Sequence, residues 1–310
     1  MPARQQGRKI AMFGASGTIG RLTLDALREK KMHTITAVTR AASSAAFPAD
    51  VIVKSGDYAD EEFLASVLGG QDVVVLQLSF DSFMTAQAPL IRAAAKAGVK
   101  WVLPTEFGSD TAPSRLMDGN PLLSAKKQFR DLAEELGMGW VAVVNNPWFD
   151  WSLPQGLWGV DVGARSARLF DGGETPFVTT TLGNVARGTA GLLSLPEAEL
   201  EAGFRNRPAY LASFRITQRE LLDSVLRATG TGEGDWRIEV VDAAAAVADA
   251  EAKAEKGDMG AMIAGFYVNH MREDWGGDYS AKVGDLGKLG IAEENLDEVV
   301  KRVVQEIEGH

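Results

Sequence analysis

The sequence predicts an α/β fold: a doubly wound parallel sheet with helices on both faces, followed by a second, smaller lobe. Three observations carry this expectation. Through the first half, short β-rich apolar runs alternate with segments whose apolar residues recur at helical spacing. A glycine-rich loop joins the first run to the first helical segment. After Asn146 the alternation stops, and Trp148, Phe149, Trp151, Phe170 and Phe177 are interleaved with Pro147, Pro154, Pro176 and several glycines.

In chain order, strands are expected at 10–13, 34–39, 51–54, 73–78, 101–104 and 140–145. Most are near-continuous apolar runs, as strands covered on both faces require. Helices are expected between them at 19–30, 60–68, 86–97 and 122–136. Gly98 and Gly137 read as helix stops, because glycine accepts the left-handed backbone that ends a helix. The expected division is 1–150 for the wound sheet and 151–310 for the smaller lobe, parts of which can pack back on the first. In that lobe, helices are expected at 218–229 and across the Ala-rich stretch 242–256.

Composition narrows the function. The 310 residues are 45% hydrophobic and 24% charged, ordinary values for a chain that builds a real core. Forty-two acidic residues against 32 basic ones give a net charge of −10, which repels nucleic acid and anionic membrane surfaces. With no cysteine there are no thiolate nucleophiles, thiolate metal sites or disulfides, and a cytoplasmic location is expected. His33, His270 and His310 are too few and too scattered for a zinc site or a Ser/His/Asp triad, so no metal is expected. No run approaches a membrane span, and the apolar stretch 10–13 is too short for a signal peptide. The expected partner is a small molecule.

The loop Gly14-Ala15-Ser16-Gly17-Thr18-Ile19-Gly20 opens the first helix, where a sheet protein presents backbone N–H groups to a pyrophosphate. A plain strand-to-helix turn would use the same glycines, but the βαβ rhythm that continues beyond favours a Rossmann-type dinucleotide site. Gly14, Ser16, Gly17, Thr18 and Ile19 are the expected cofactor contacts, with Gly20 letting the helix pack closely. The second strand ends in Thr39-Arg40, where NAD binders place an acidic residue. A guanidinium suits a phosphate, so Arg40 points to NADPH, the alternative being a solvated arginine. Gln77 and Ser79 stand at the carboxyl end of the fourth strand, where they are candidates to line the nicotinamide ribose. Asp57 is placed to meet the adenine, or Asp57 and Tyr58 form a turn after Gly56.

With this loop, Arg40 and the segment Leu103-Pro104-Thr105-Glu106-Phe107-Gly108, the sequence resembles the isoflavone reductase-like and NmrA-like group of atypical short-chain dehydrogenases/reductases. The resemblance runs from residue 9 to 153 and more faintly through 179–193 and 214–230. The family's usual segment is Pro-Ser-Glu-Phe-Gly. In the plant reductases of this group, a lysine eleven residues before the glycine that ends its helix is the catalytic acid/base, which implies Lys126 here. The resemblance also implies that Asn146 lies beside the nicotinamide, and it aligns Trp148 with a family phenylalanine. Two positions depart from the family: Ala49 stands nine residues beyond Arg40, where plant members have a second basic residue, and Asn184 replaces an aspartate.

The helical pattern distinguishes Lys126 without the family. At about 100° per residue, Leu122, Leu123, Ala125, Phe129, Leu132, Ala133 and Leu136 share a broad face. Lys126 borders that face, while Lys127, Asp131, Glu134 and Glu135 point outward. Burial and Arg130 one turn away are expected to lower the Lys126 pKa, as suits a proton donor. Trp148, Phe149 and Trp151, with Trp158, are candidates for an aromatic substrate wall, or else for core between the lobes. The leading functional expectation is an NADPH-dependent reductase of a small aromatic or carbonyl/enone metabolite. Alternatives are a dinucleotide-binding redox sensor without turnover, and an isomerase or cyclase that retains the nucleotide.

Overall fold

The alternation is present in the computed structural model, which describes residues 7–112 and 114–309. The first half runs β1 (Lys9–Phe13), α1 (Thr18–Glu29), β2 (Thr34–Arg40), β3 (Ile52–Gly56), α2 (Glu61–Leu68), β4 (Val73–Leu76), α3 (Phe80–Lys96), β5 (Trp101–Leu103), α4 (Arg115–Asp118), α5 (Pro121–Glu135) and β6 (Gly139–Val144). The second half adds α6 (Phe149–Ser152), β7 (Val160–Asp161), β8 (Ser166–Phe170), β9 (Phe177–Thr179), α7 (Leu182–Leu193), α8 (Glu197–Phe204), β10 (Arg207–Tyr210) and β11 (Phe214–Ile216). It ends with α9 (Gln218–Thr229), β12 (Arg237–Val241), α10 (Ala243–Ala254), α11 (Met259–His270) and α12 (Leu296–Glu308).

Seven parallel strands form the main sheet in the order β10-β6-β5-β4-β1-β2-β3. The chain reverses direction across the sheet between β1 and β4, the switch point at which open α/β sheets bind ligands. The predicted burial on both faces follows from the runs themselves. Every residue of β4 and β6 is buried. One face packs against α1 and α7, with Leu24, Val185 and Ala190 in its core. The other packs against α2, α3 and α5 through Leu64, Leu90 and Phe129. Each such fully buried large side chain contributes roughly 1.5–3 kcal/mol.

Gly98 and Gly137 end their helices with φ of +80° and +76°, as expected. The third helix begins at Phe80 rather than 86. Its first turns carry Phe80 and Met84 exposed while Phe83 between them joins the core, so the apolar residues there are only partly covered.

The second half does not stay in one lobe. Helix α7 lies against α1, and β10 pairs in parallel with β6 as the edge of the main sheet. The remainder forms a three-stranded sheet, β12-β8-β7, and the antiparallel pair β9–β11, packed with α9, α10, α11 and α12. At the centre of that core, Trp158 stacks on Phe177 at 4.6 Å. No helix among the described residues is long and apolar enough to cross a membrane.

His270 lies fully buried at the end of α11, with Nδ1 2.9 Å from the Phe266 carbonyl and Nε2 2.7 Å from Ser109 Oγ. The carbonyl requires a proton on Nδ1, so Nε2 accepts from the serine. Burial holds the imidazole pKa down at about 4 from an ordinary 6.5. The unfolded chain therefore takes up a proton between these values that the folded one refuses. Stability contributed by this site is complete above pH 6.5 and is lost as pH falls toward 4, up to about 3 kcal/mol in all. Thermal melts between pH 7 and 4.5 should show this loss, and His270→Gln should flatten the profile. An equally steep profile in that variant would assign the loss elsewhere, for instance to half-buried His33, whose pKa burial also holds at about 4.

Candidate active site

The loop after β1 has the geometry of a phosphate cradle. Gly14 has φ of +85°, and a Cβ there would stand 2.0 Å from the Gln77 carbonyl oxygen. A Cβ on Gly20 would stand 2.0 Å from the Gly14 carbonyl oxygen, so this glycine lets α1 press directly on the loop that precedes it. Gly17 differs: a Cβ there would meet only the Gly14 oxygen, at 3.3 Å. Ser16, Gly17 and Thr18 are exposed, while Ile19 is buried under the helix. The first turn of α1 has no side-chain cap and no acidic residue, leaving its N–H groups and the positive end of its dipole uncompensated.

Arg40 ends β2 exposed, with no salt bridge to any described residue. Asp57 accepts from the Ala59 N–H at 2.9 Å, which makes it a turn residue. Tyr58 packs edge-on against Phe13 and donates to the Val38 carbonyl, and its burial raises the phenol to about 12. The two candidates for the nicotinamide ribose divide. Gln77 is turned beneath the loop, where its amide donates to Thr23 Oγ1 at 2.9 Å. Ser79 precedes α3 on the surface, with its hydroxyl 2.9 Å from that of Ser82. The strand stops at Leu76, so neither side chain keeps the alternation that a strand ending at 78 implied.

Beside the carboxyl ends of β4 and β5 opens a cleft of about 940 Å³. Asn120 caps α5 by accepting from the N–H groups of Leu122 and Leu123, and this helix presents Lys126 to the cleft. Its Nζ donates to the Glu106 carbonyl oxygen at 2.7 Å, and its side chain is 14% exposed. Lys127 is outward, paired with Asp131 at 2.7 Å. Burial pushes the Lys126 ammonium below the ordinary lysine range; the Glu106 carboxylate opposes the shift and Arg130 adds to it.

Glu106 was not singled out from the sequence. Its side chain is 1% exposed, with Oε1 accepting from Arg130 at 2.9 Å and Oε2 3.8 Å from Lys126 Nζ. Burial pushes this carboxyl up, while Lys126 and Arg130 pull it back. Arg130 also bonds Thr111 and lies 5.3 Å over the Trp140 ring. The segment that carries Glu106 was legible as a motif, but its charge gave no sign of facing Lys126 across 20 residues of chain.

The aromatic candidates divide. Trp148 and Trp151 line the cleft, meeting edge-to-face at 6.1 Å. Phe149 does not line it: it is fully buried, 5.1 Å from Phe214 in the second lobe's core. Trp158 is likewise core. The reason is geometric, because α6 turns successive side chains about 100° apart. Asn146 does not line the cleft either. It is fully buried with φ of +52°, and its amide donates to the carbonyls of Val178 and Gly277 at 2.8 Å each, joining β6 to the second lobe instead of lining the cleft. Asn184 is similarly committed, to Ser213, Ala292 and Glu294. The facing wall, Met259, Met262, Ile263 and Phe266 of α11, was not anticipated.

This combination defines a Rossmann-type protein with a largely apolar cleft beside the carboxyl ends of β4 and β5. Residues 6–149, the stretch that carries the loop and Lys126, match the NmrA-like family. Over 306 residues the chain is 28% identical to oxidoreductase aprR of Aspergillus flavus, covering 96% of this chain and 99% of that protein. The fold is similar to that of isoflavone reductase (TM-score 0.78, 19% identity, 96% and 99% covered). It is also similar to AtPrR2 solved with NADP+ and (+)pinoresinol (TM-score 0.75, 20% identity, 96% and 99% covered). The likeness to isoflavone reductase-like and NmrA-like proteins, and the Rossmann-type fold, are as the sequence predicted.

Proposed function

We propose that this chain is an NADPH-dependent oxidoreductase that reduces a small, largely apolar carbonyl or enone compound, with Lys126 as proton donor. The observation that carries the reading is the placement of Lys126 in an apolar cleft on the same sheet edge as an uncapped, glycine-lined helix start. The residues present fit the dinucleotide: Gly17 leaves open the space that a phosphate needs, and Arg40 is an unpaired guanidinium at the end of β2. Solved proteins of this fold hold NADP+, which supports the same choice.

When bound, the nicotinamide supplies hydride. The chain's own part is to bind and orient. The first-turn N–H groups of α1 would hold the pyrophosphate, and Arg40 the 2′-phosphate. The apolar walls exclude water and position a flat substrate against Trp148. Lys126 Nζ, held by the Glu106 carbonyl, gives its proton to the oxygen on which charge develops. A cleft of about 940 Å³ with a cation inside favours turnover over a sensor that only binds nucleotide.

Mass spectrometry of products after incubation with NADPH and a panel of ketones, enones, quinones and phenylpropanoid ethers tests the reaction. No reduced product across the panel, with NADPH bound, would return belief to the sensor. The cofactor choice has its own test. Calorimetry should show NADPH binding at least about tenfold tighter than NADH, and Arg40→Ala should remove most of the difference, since a charge-assisted contact contributes roughly 1.5–3 kcal/mol. Equal affinities in the unmutated protein would overturn the assignment.

A further inference from the structure

We propose that Glu106 is the positioning residue for the proton donor: its peptide carbonyl aims Lys126 Nζ into the cleft, and its buried carboxylate keeps that nitrogen charged until a substrate takes the proton. This rests on the reading of Lys126 as the donor.

Two independent features of one residue carry the inference. The carbonyl oxygen of Glu106 accepts from Nζ at 2.7 Å, which fixes the direction of a long, flexible side chain. The carboxylate is held apart from that contact. Arg130 secures Oε1 at 2.9 Å, while Oε2 is buried, has no hydrogen-bond partner, and lies 3.8 Å from Nζ. An unpartnered carboxylate oxygen inside a protein is costly, and the Lys126 ammonium beside it relieves that cost. The backbone of Phe107 directly after it is held at φ of +30°, and the Gly108 carbonyl accepts from both Asn145 and Asn146. The segment is therefore clamped to the end of β6 and cannot follow the lysine if it moves.

The charges around Nζ are few. From the loop after β5 comes Glu106, and from α5 itself Arg130. On the facing elements, α10 contributes Glu251 to the cleft wall, and the cleft-lining residues of α3, α6 and α11 carry no charge. Burial and Arg130 both favour the neutral amine, and Glu106 opposes them. Without the carboxylate, burial and Arg130 would push the ammonium further below the ordinary lysine range, leaving less of it protonated to donate. In turnover, one Nζ–H bond breaks as the substrate oxygen takes the proton, and the neutral amine recovers one from water entering the cleft.

Competitive acetylation with acetic anhydride, read by peptide mass spectrometry across a pH series, follows the neutral amine of Lys126 directly and needs no substrate. Glu106→Gln keeps the peptide carbonyl and removes only the charge. The midpoint for Lys126 should then fall by about one pH unit or more, while Glu106→Asp, which restores a carboxylate, should return it most of the way. Lys127, paired on the outer face of the same helix, should label identically in all three proteins. An unchanged Lys126 midpoint in Glu106→Gln, or an equal shift at Lys127, would overturn the proposal. Because labelling reports the lysine whether or not the protein turns anything over, failure of the reductase reading would appear separately, in the product assay.

Discussion

Lys126→Met lowers turnover by about 10²–10⁴-fold while leaving NADPH affinity nearly unchanged, the result expected when a positioned proton donor is removed. Methionine retains an unbranched, apolar side chain that fills the same wall of the cleft, so the fold loses little. The sign of the pH dependence follows from the same residue. A donor must be protonated, so activity should decline as pH rises through the Lys126 pKa, and burial places that decline below the ordinary lysine range. Lys127→Met is the control, since its partner is Asp131 on the outer surface. Steady-state rates on whichever panel compound is reduced, with calorimetry for the cofactor, check both claims. Full activity in Lys126→Met would remove it from the chemistry and leave hydride transfer to proceed with a proton from solvent.

In Gly17→Val, dinucleotide binding should be abolished with the fold intact. A Cβ there meets only the Gly14 oxygen, at 3.3 Å, so the fold can accept it while the branched methyls compete with a pyrophosphate for the loop. Gly20→Val is the contrasting variant. Its Cβ would stand 2.0 Å from the Gly14 carbonyl oxygen and 3.0 Å from Ala15 Cα, both in the loop itself, so α1 must move away from the sheet. Circular dichroism and thermal melts should therefore report a folded Gly17→Val and a strongly destabilised or unfolded Gly20→Val. Cofactor titration of the former completes the test, and normal binding would show the loop to be a plain structural turn.

The wound sheet was legible because its inner strands are buried on both faces and its helices on one, and each condition writes its own period into the chain. Strand ends were less so: 73–78 was read as one apolar run, yet pairing stops at Leu76. The inward side of α5 was readable from spacing alone, as was the contrast between Lys126 and Lys127. What faces Lys126 was not, because Glu106 reaches it through tertiary packing that no local pattern records. Trp148, Phe149 and Trp151 share one composition, and only the turn of α6 sends two of them to the cleft and one to the core. Asn146 has surroundings that no local pattern records. The residue type is present, but its amide is already bound to two second-lobe carbonyls.

The place of β10 sets the order in which the molecule can be assembled. Because residues 207–210 supply the strand beyond β6, a ribosome that has delivered the nucleotide loop, Arg40 and Lys126 has still not delivered the edge strand that pairs with β6. Until that strand emerges, β6 carries an open row of N–H and C=O groups on a wholly apolar ribbon, a template for pairing with another chain. Synthesis from one end and closure from both make the early part of the polypeptide dependent on the late part. A fragment cut at the apparent composition boundary would thus expose β6 as an adhesive edge.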